Sequence, residues 1–128
     1  KYYGYQEDVR PFIRDCHCVV LPSYHEGMAN VLLEGAAMGR VLITSDIYGC
    51  KEAVVEGING WTCKVKDSDA LYDKMRDFVE MDFDEKVKMG REGRRYMEEI
   101  FDKDKVVKET VEEMEKWVNQ LEFCMKML

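Results

Sequence analysis

The sequence predicts an α/β fold, in which a parallel sheet carries helices and a helical C-terminal segment follows. Three observations predict it. Short β-branched apolar runs at residues 18–21 and 41–44 read as strands buried on both faces, which lose the polar alternation of half-exposed strands. A Leu- and Ala-rich helical stretch lies between them on tight connections, and a strand–helix–strand crossover implies parallel pairing. After Asp67 the texture changes from glycine-bearing turns to charged, proline-free sequence with helical periodicity.

Each element follows in order. The chain opens Lys1-Tyr2-Tyr3-Gly4, without an initiator Met, and reads as the end of a strand. Residues 8–14 form a short helix with Val9, Phe12 and Ile13 on one face, and Pro11 is tolerated in its first turn. Pro22 stops the strand at 18–21. The helix at 30–38 closes on Gly39, which suits the left-handed residue after a helix. A second strand at 41–44 and a third at 61–65 follow, the third alternating and nearer a sheet edge. Residues 68–80 make a helix with Leu71, Met75, Phe78 and Val79 inward. Asp82-x-x-Glu85 resembles a capping box opening a helix to about Met97. In the last helix, residues 104–128, Val107, Val111, Met114, Val118, Leu121, Met125 and Leu128 are spaced 4, 3, 4, 3, 4, 3, an a/d heptad pattern. This divides the chain into an α/β portion at 1–100 and an amphipathic C-terminal helix at 101–128.

Composition narrows the function. Among 128 residues, 26 acidic against 19 basic side chains give a net charge of −7, which argues against nucleic acid as a partner because phosphates call for a basic patch. No run of about 18 apolar residues reads as a membrane span, and no secretory signal opens the chain, so the expected location is the cytoplasm. Five cysteines (Cys16, Cys18, Cys50, Cys63, Cys124) form no Cys-x-x-Cys pair, and His17 and His25 complete no zinc pattern. They read as free thiols packed as small hydrophobes.

Ligands of open parallel sheets sit beyond the carboxyl ends of the strands. After the first strand runs Pro22-Ser23-Tyr24-His25-Glu26-Gly27-Met28-Ala29-Asn30, straight into a helix. A glycine-bearing loop feeding a helix N-terminus offers unpaired N–H groups and the positive end of the helix dipole, both suited to phosphate. Glu26 lies in that loop and Glu34 eight residues on. Acids beside an anion site make sense as acceptors for the hydroxyls of sugar and ribose. Each also has a plain structural reading, solvent exposure for Glu26 and a favourable dipole interaction for Glu34.

Further motifs stand in order: Pro22-Ser23-x-x-Glu26-Gly27, Leu32-Leu33-Glu34-Gly35-Ala36-Ala37-Met38-Gly39-Arg40, Ile43-Thr44-Ser45-Asp46, Gly49-Cys50-Lys51-Glu52 and Glu56-Gly57-Ile58-Asn59-Gly60-Trp61. Together they resemble glycosyltransferase family 4, whose Glu-x7-Glu signature matches Glu26 and Glu34, from about Tyr2 to Ile100. The closest flavour is the bacterial enzymes that build capsule, exopolysaccharide or lipopolysaccharide. The resemblance implies the C-terminal, donor-binding portion of a GT-B enzyme, in which two Rossmann-like domains face across a cleft. It implies transfer from a nucleotide sugar, UDP-linked by expectation, to a glycan or polyprenyl-linked acceptor, with retained anomeric configuration and no metal or cofactor. By the motif match Glu26 contacts donor-sugar hydroxyls and carries the catalytic role. Gly27, Met28, Ala29 and Asn30 form the helix-start binding segment, and the amides of the first three face the sugar and diphosphate. Glu34 takes the ribose, and Gly4 and Tyr5 lie beside the base.

The departures carry expectations of their own. The family's upstream Arg and Lys, which clamp the diphosphate, and its acceptor-binding N-terminal domain with a catalytic-site His have no counterpart in these residues; His25 lies in the donor loop instead. Val41 stands at a frequent Pro position. The expectation is therefore an incomplete enzyme, inactive alone, whose parent works in the cytoplasm or at the inner face of the membrane. The strand at Val19 is expected to present an open edge, so the piece should self-associate there or through the 107–128 heptad helix. A non-catalytic module assembling through that helix is the alternative function, and a flavodoxin-type signalling domain, lacking an acidic cluster beyond Asp46, a weaker one.

Overall fold

The computed structural model describes residues 1–126, and side chains as far as Leu121. Cys124 and the heptad positions Met125 and Leu128 therefore lie, as side chains, outside the described residues. The elements are α1 (Arg10–Arg14), β1 (Cys18–Leu21), α2 (Asn30–Ala37), β2 (Val41–Ser45), one turn of 3-10 helix (Lys51–Ala53), β3 (Gly60–Cys63), α3 (Ser68–Glu80), α4 (Phe83–Ile100) and α5 (Lys103–Lys126). They fall into two units, Lys1–Met97 and Glu98–Leu128.

In the first unit the three strands form one parallel sheet in the order β1-β2-β3, with Cys18 opposite Val41 and Leu42 opposite Gly60. Every residue of the central strand β2 is buried, as a run of apolar residues in a two-sided sheet requires. Side chains alternate along it, so Leu42 and Thr44 share one face while Val41, Ile43 and Ser45 share the other. The first face takes α2: a Cβ on the buried Gly35 would stand 2.8 Å from Val19 Cγ2, so the helix lies as close to the sheet as a bare backbone allows. Leu32, Leu42 and Ile43, each fully buried, form the centre of the core. The Asn59 amide is buried as well and paired at both ends, accepting from Val55 N at 2.7 Å and donating to Ala53 O at 3.0 Å. The turn at 56–60 is thus scaffold.

Two expectations need correction. The Tyr2-Tyr3 stretch is not a strand. The Gln6 amide closes on Tyr3 O at 2.7 Å, Gly4 turns to φ +67°, and the Tyr3 ring meets Phe12 edge-on at 4.7 Å, so local contacts take the place of a ladder. The inward face of α3 is also thinner than its periodicity implies. Leu71 and Phe78 are half-buried, while Met75 and Val79 are exposed. The helix packs on β3 and β2, and β3 is the last strand of the sheet, so the sheet backs only part of that face. Its start is capped as the chemistry demands, Asp67 accepting from Ala70 N at 2.9 Å. Asp82 caps α4 through Asp84 N at 2.9 Å.

In the second unit α5 exposes Val107, Val111, Met114, Val118 and Leu121, a continuous apolar stripe along the heptad positions. No helix among the described residues is long and apolar enough to cross a membrane.

Candidate functional site

The loop between β1 and α2 begins at the carboxyl end of an edge strand. Ser23 donates its hydroxyl to Glu26 Oε1 at 2.7 Å, which fixes the half-buried carboxylate inside the loop. The loop delivers the chain into α2 without a cap: Ala29 at the N-cap offers no side-chain oxygen, and the first turn holds no acid. Alanine is among the poorest residues for that position. The amides of Gly27, Met28 and Val31 find no acceptor among the described residues. Three N–H groups and the positive end of an eight-residue helix are therefore left for a ligand, a combination that favours an anion.

One predicted amide contact, that of Ala29, differs from expectation. The Ala29 amide donates to Gly49 O at 2.7 Å, and the Asn30 amide donates to Met28 O at 3.0 Å. Both are used internally, which leaves Val31, unmarked in the sequence, in their place. Glu34 is exposed on α2. Its charge reaches Arg10 of α1, whose guanidinium pKa is raised first by the hydrogen-bonded Asp8 and last by Glu34. Gly4 and Tyr5 lie in the irregular stretch before α1, both exposed. The structure thus gathers Glu26, Gly27, Met28 and the start of α2 in one place. His25 is exposed beside Glu26.

What holds the loop in place comes from further along the chain. Gly49 sits at φ +84°, and a Cβ on it would stand 2.6 Å from Gly27 O and 2.7 Å from Glu26 O. The turn after β2 is therefore pressed against the loop backbone. Glu52 secures that turn by accepting from Gly49 N at 2.8 Å, and Tyr96 of α4 donates its hydroxyl to Glu52 O at 3.2 Å. The sequence signals this scaffold only through the Gly49-Cys50-Lys51-Glu52 motif; Tyr96, 44 residues from Glu52, carries no local signal. Among the described cysteines Cys16, Cys18, Cys50 and Cys63 are free, and burial pushes the Cys18 thiol up to about 12.

An open parallel sheet with helices packed on it and a loop running from its first strand into a helix start defines a Rossmann-like α/β protein. The chain belongs to the glycosyl transferases group 1 family, whose sequence profile matches residues 1–81. It is 34% identical over 88 residues to N,N'-diacetylbacillosaminyl-diphospho-undecaprenol alpha-1,3-N-acetylgalactosaminyltransferase of Campylobacter jejuni, covering 69% of this chain and 23% of that one. It is 30% identical over 71 residues to a lipopolysaccharide core biosynthesis glycosyltransferase of Rhizobium meliloti, covering 56% of this chain and 21% of the relative. The chain thus spans less than a quarter of either relative's length. The fold is that of Anabaena HepE, solved in complex with UDP, at a TM-score of 0.79 and 19% identity over 87% of this chain and 30% of that one.

Proposed function

We propose that these residues form the donor-binding part of a retaining, family 4 glycosyltransferase that moves a sugar from UDP to a glycan or polyprenyl-linked acceptor in bacterial surface polysaccharide assembly. The observation that carries this reading is the uncapped start of α2, with three free amides beside the fixed Glu26 carboxylate. Glu26 accepts hydrogen bonds from hydroxyls of the donor sugar. The amides of Gly27, Met28 and Val31 take the diphosphate, Ala29 and Asn30 shape the helix start, and Glu34 accepts from the ribose. Charge gathers on the diphosphate as the glycosidic bond breaks, and N–H groups fixed in advance stabilise it without reorganising, the logic of an oxyanion hole applied to a leaving group. No metal or cofactor enters this scheme. Gly4 and Tyr5 are assigned to the base by motif alone.

Family membership supports glycosyl transfer, and the Campylobacter and Rhizobium relatives, by their names, act on a lipid-linked diphosphate sugar and in lipopolysaccharide synthesis. A lipid-linked acceptor would bring the whole protein to the cytoplasmic face of a membrane. Titration of UDP, GDP and their sugars by calorimetry tests the site. UDP species should bind, and Glu26→Ala with Glu34→Ala should weaken the sugar nucleotide by about 10–100-fold, two charge-assisted hydrogen-bond sets being lost. Binding indifferent to both substitutions refutes the assignment.

A further inference from the structure

A second concavity, about 300 Å³, opens at the carboxyl ends of the strands and is separate in its lining from the α2 amides. Pro22 after β1, Ser45 at the end of β2 and Cys63 at the end of β3 form its base. Tyr24 of the β1–α2 loop, the exposed Lys64, Lys66 and Ser68, and the acid Asp67 lie around it.

Three features of this cavity ask for a ligand. Ser45 is only 2% exposed, and its hydroxyl, which forms no hydrogen bond among the described residues, keeps what accessible area it has at the cavity wall. The adjacent Thr44, by contrast, donates its hydroxyl to Leu21 O at 2.8 Å. Lys64 and Lys66 form no ion pair among the described residues, in a chain with seven more acids than bases. The nearest acid of the segment, Asp67, has its carboxylate turned to the start of α3, with Asp69 one residue further into that helix. Finally, Lys66 occupies the left-handed region at φ 63°, where glycine or asparagine sits at less cost, and its ammonium lies 5.9 Å from the centre of the Tyr24 ring. The β3–α3 turn and the donor loop thus meet across the mouth.

We propose that this cavity binds the phosphate end of a glycosyl phosphate. The two ammoniums meet the phosphate, the Ser45 and Ser68 hydroxyls bond its oxygens or the nearest sugar hydroxyl, and the flat Tyr24 ring covers the sugar's apolar face. The saccharide half of this assignment rests on the reading of the donor loop above; the anion half rests on the lysines and Ser45. Tyr24 joins the two sites, so this cavity would present a second glycosyl phosphate next to the donor.

The test is a two-dimensional 15N NMR titration of the chain with glucose 1-phosphate, with glucose alone, and with a short-chain prenyl diphosphate glucose. Glucose 1-phosphate should shift the amides of Ser45, Lys64, Lys66 and Ser68, and glucose alone should not. Lys64→Gln with Lys66→Gln should weaken binding about tenfold or more, while UDP affinity at the α2 amides stays as it was. Ser45→Ala, which removes one hydroxyl and leaves the fold intact, should weaken the same titration. A lower working concentration for the prenyl compound assigns the site to a lipid-linked acceptor, and the reverse order to a free sugar phosphate; both support it. Shifts confined to residues 27–31, equal binding of glucose, or indifference to the lysine pair overturns it. Should UDP fail to bind while the glucose 1-phosphate shifts persist, the donor-site reading falls and this site stands.

Discussion

Replacing Gly49 by Ala asks whether the turn after β2 holds the donor loop. Two costs follow from the structure. The first is conformational: at φ +84° an L-residue is strained by about 1–2 kcal/mol. The second is steric, because the new Cβ would stand 2.6 Å from Gly27 O, a backbone atom, where ordinary contact begins at 3.4 Å. The loop must therefore retreat by about 0.8 Å (3.4 minus 2.6), and close packing of this kind costs about 1–3 kcal/mol more. Gly57→Ala supplies the control. Its φ of +72° imposes the same conformational strain, but its Cβ meets nothing within 4 Å. Urea denaturation should thus place Gly49→Ala about 1–3 kcal/mol below Gly57→Ala, the steric difference alone. Calorimetric titration of UDP-sugar should show Gly49→Ala weakened by about 10–100-fold, since a shift approaching 1 Å misaligns the amides, and Gly57→Ala unchanged. Equal stabilities for the two variants, or an unaltered affinity in Gly49→Ala, would refute the scaffold argument.

Two further outcomes follow from packing and charge. With its pKa pushed from 9.0 to about 12 by burial, Cys18 stays a thiol in the folded chain while the unfolded chain ionises. The neutral thiol's contribution to stability is complete below pH 9 and is lost as the pH rises from 9 towards 12; iodoacetamide at pH 9 should alkylate Cys18 in urea but not in buffer, read by peptide mass mapping. Because β1 pairs only with β2 among the described residues, the isolated chain should associate along that edge, and Val20→Lys, a charge placed in the edge strand, should raise the monomer fraction. Light scattering that returns 15.0 kDa at every concentration would exclude this association.

Much of the fold was legible because its causes are local. Val41-Leu42-Ile43-Thr44 is apolar without alternation, and only a strand covered on both faces requires that, so β2 and its parallel neighbours follow from the sequence. The helix at Ser68–Glu80 is bounded by its own residues, with Asp67 as cap. The position of the β1–α2 loop was legible as well, since a strand stopped by Pro22 and a Leu- and Ala-rich helix from Asn30 bound it in the sequence. The start of the chain was not. Tyr2-Tyr3 has strand composition, but a strand exists only with a partner, and here Gln6 and Phe12 satisfy the segment instead.

The sequence by itself determined the strands, the helices, the Glu26–Glu34 pair and the family resemblance, because periodicity, capping and motif order are properties of neighbouring residues. Only the tertiary structure decided which amides remain free. Ala29 and Val31 look equivalent at a helix start, yet Gly49, twenty residues on from Ala29, takes the first and leaves the second. It also decided that Ser45, at the end of a buried strand, lines one cavity with Lys64 and Lys66, a juxtaposition made by parallel register. Hydrogen-bond satisfaction is a sum over spatial neighbours, and in a parallel sheet those neighbours lie a whole crossover away in the chain.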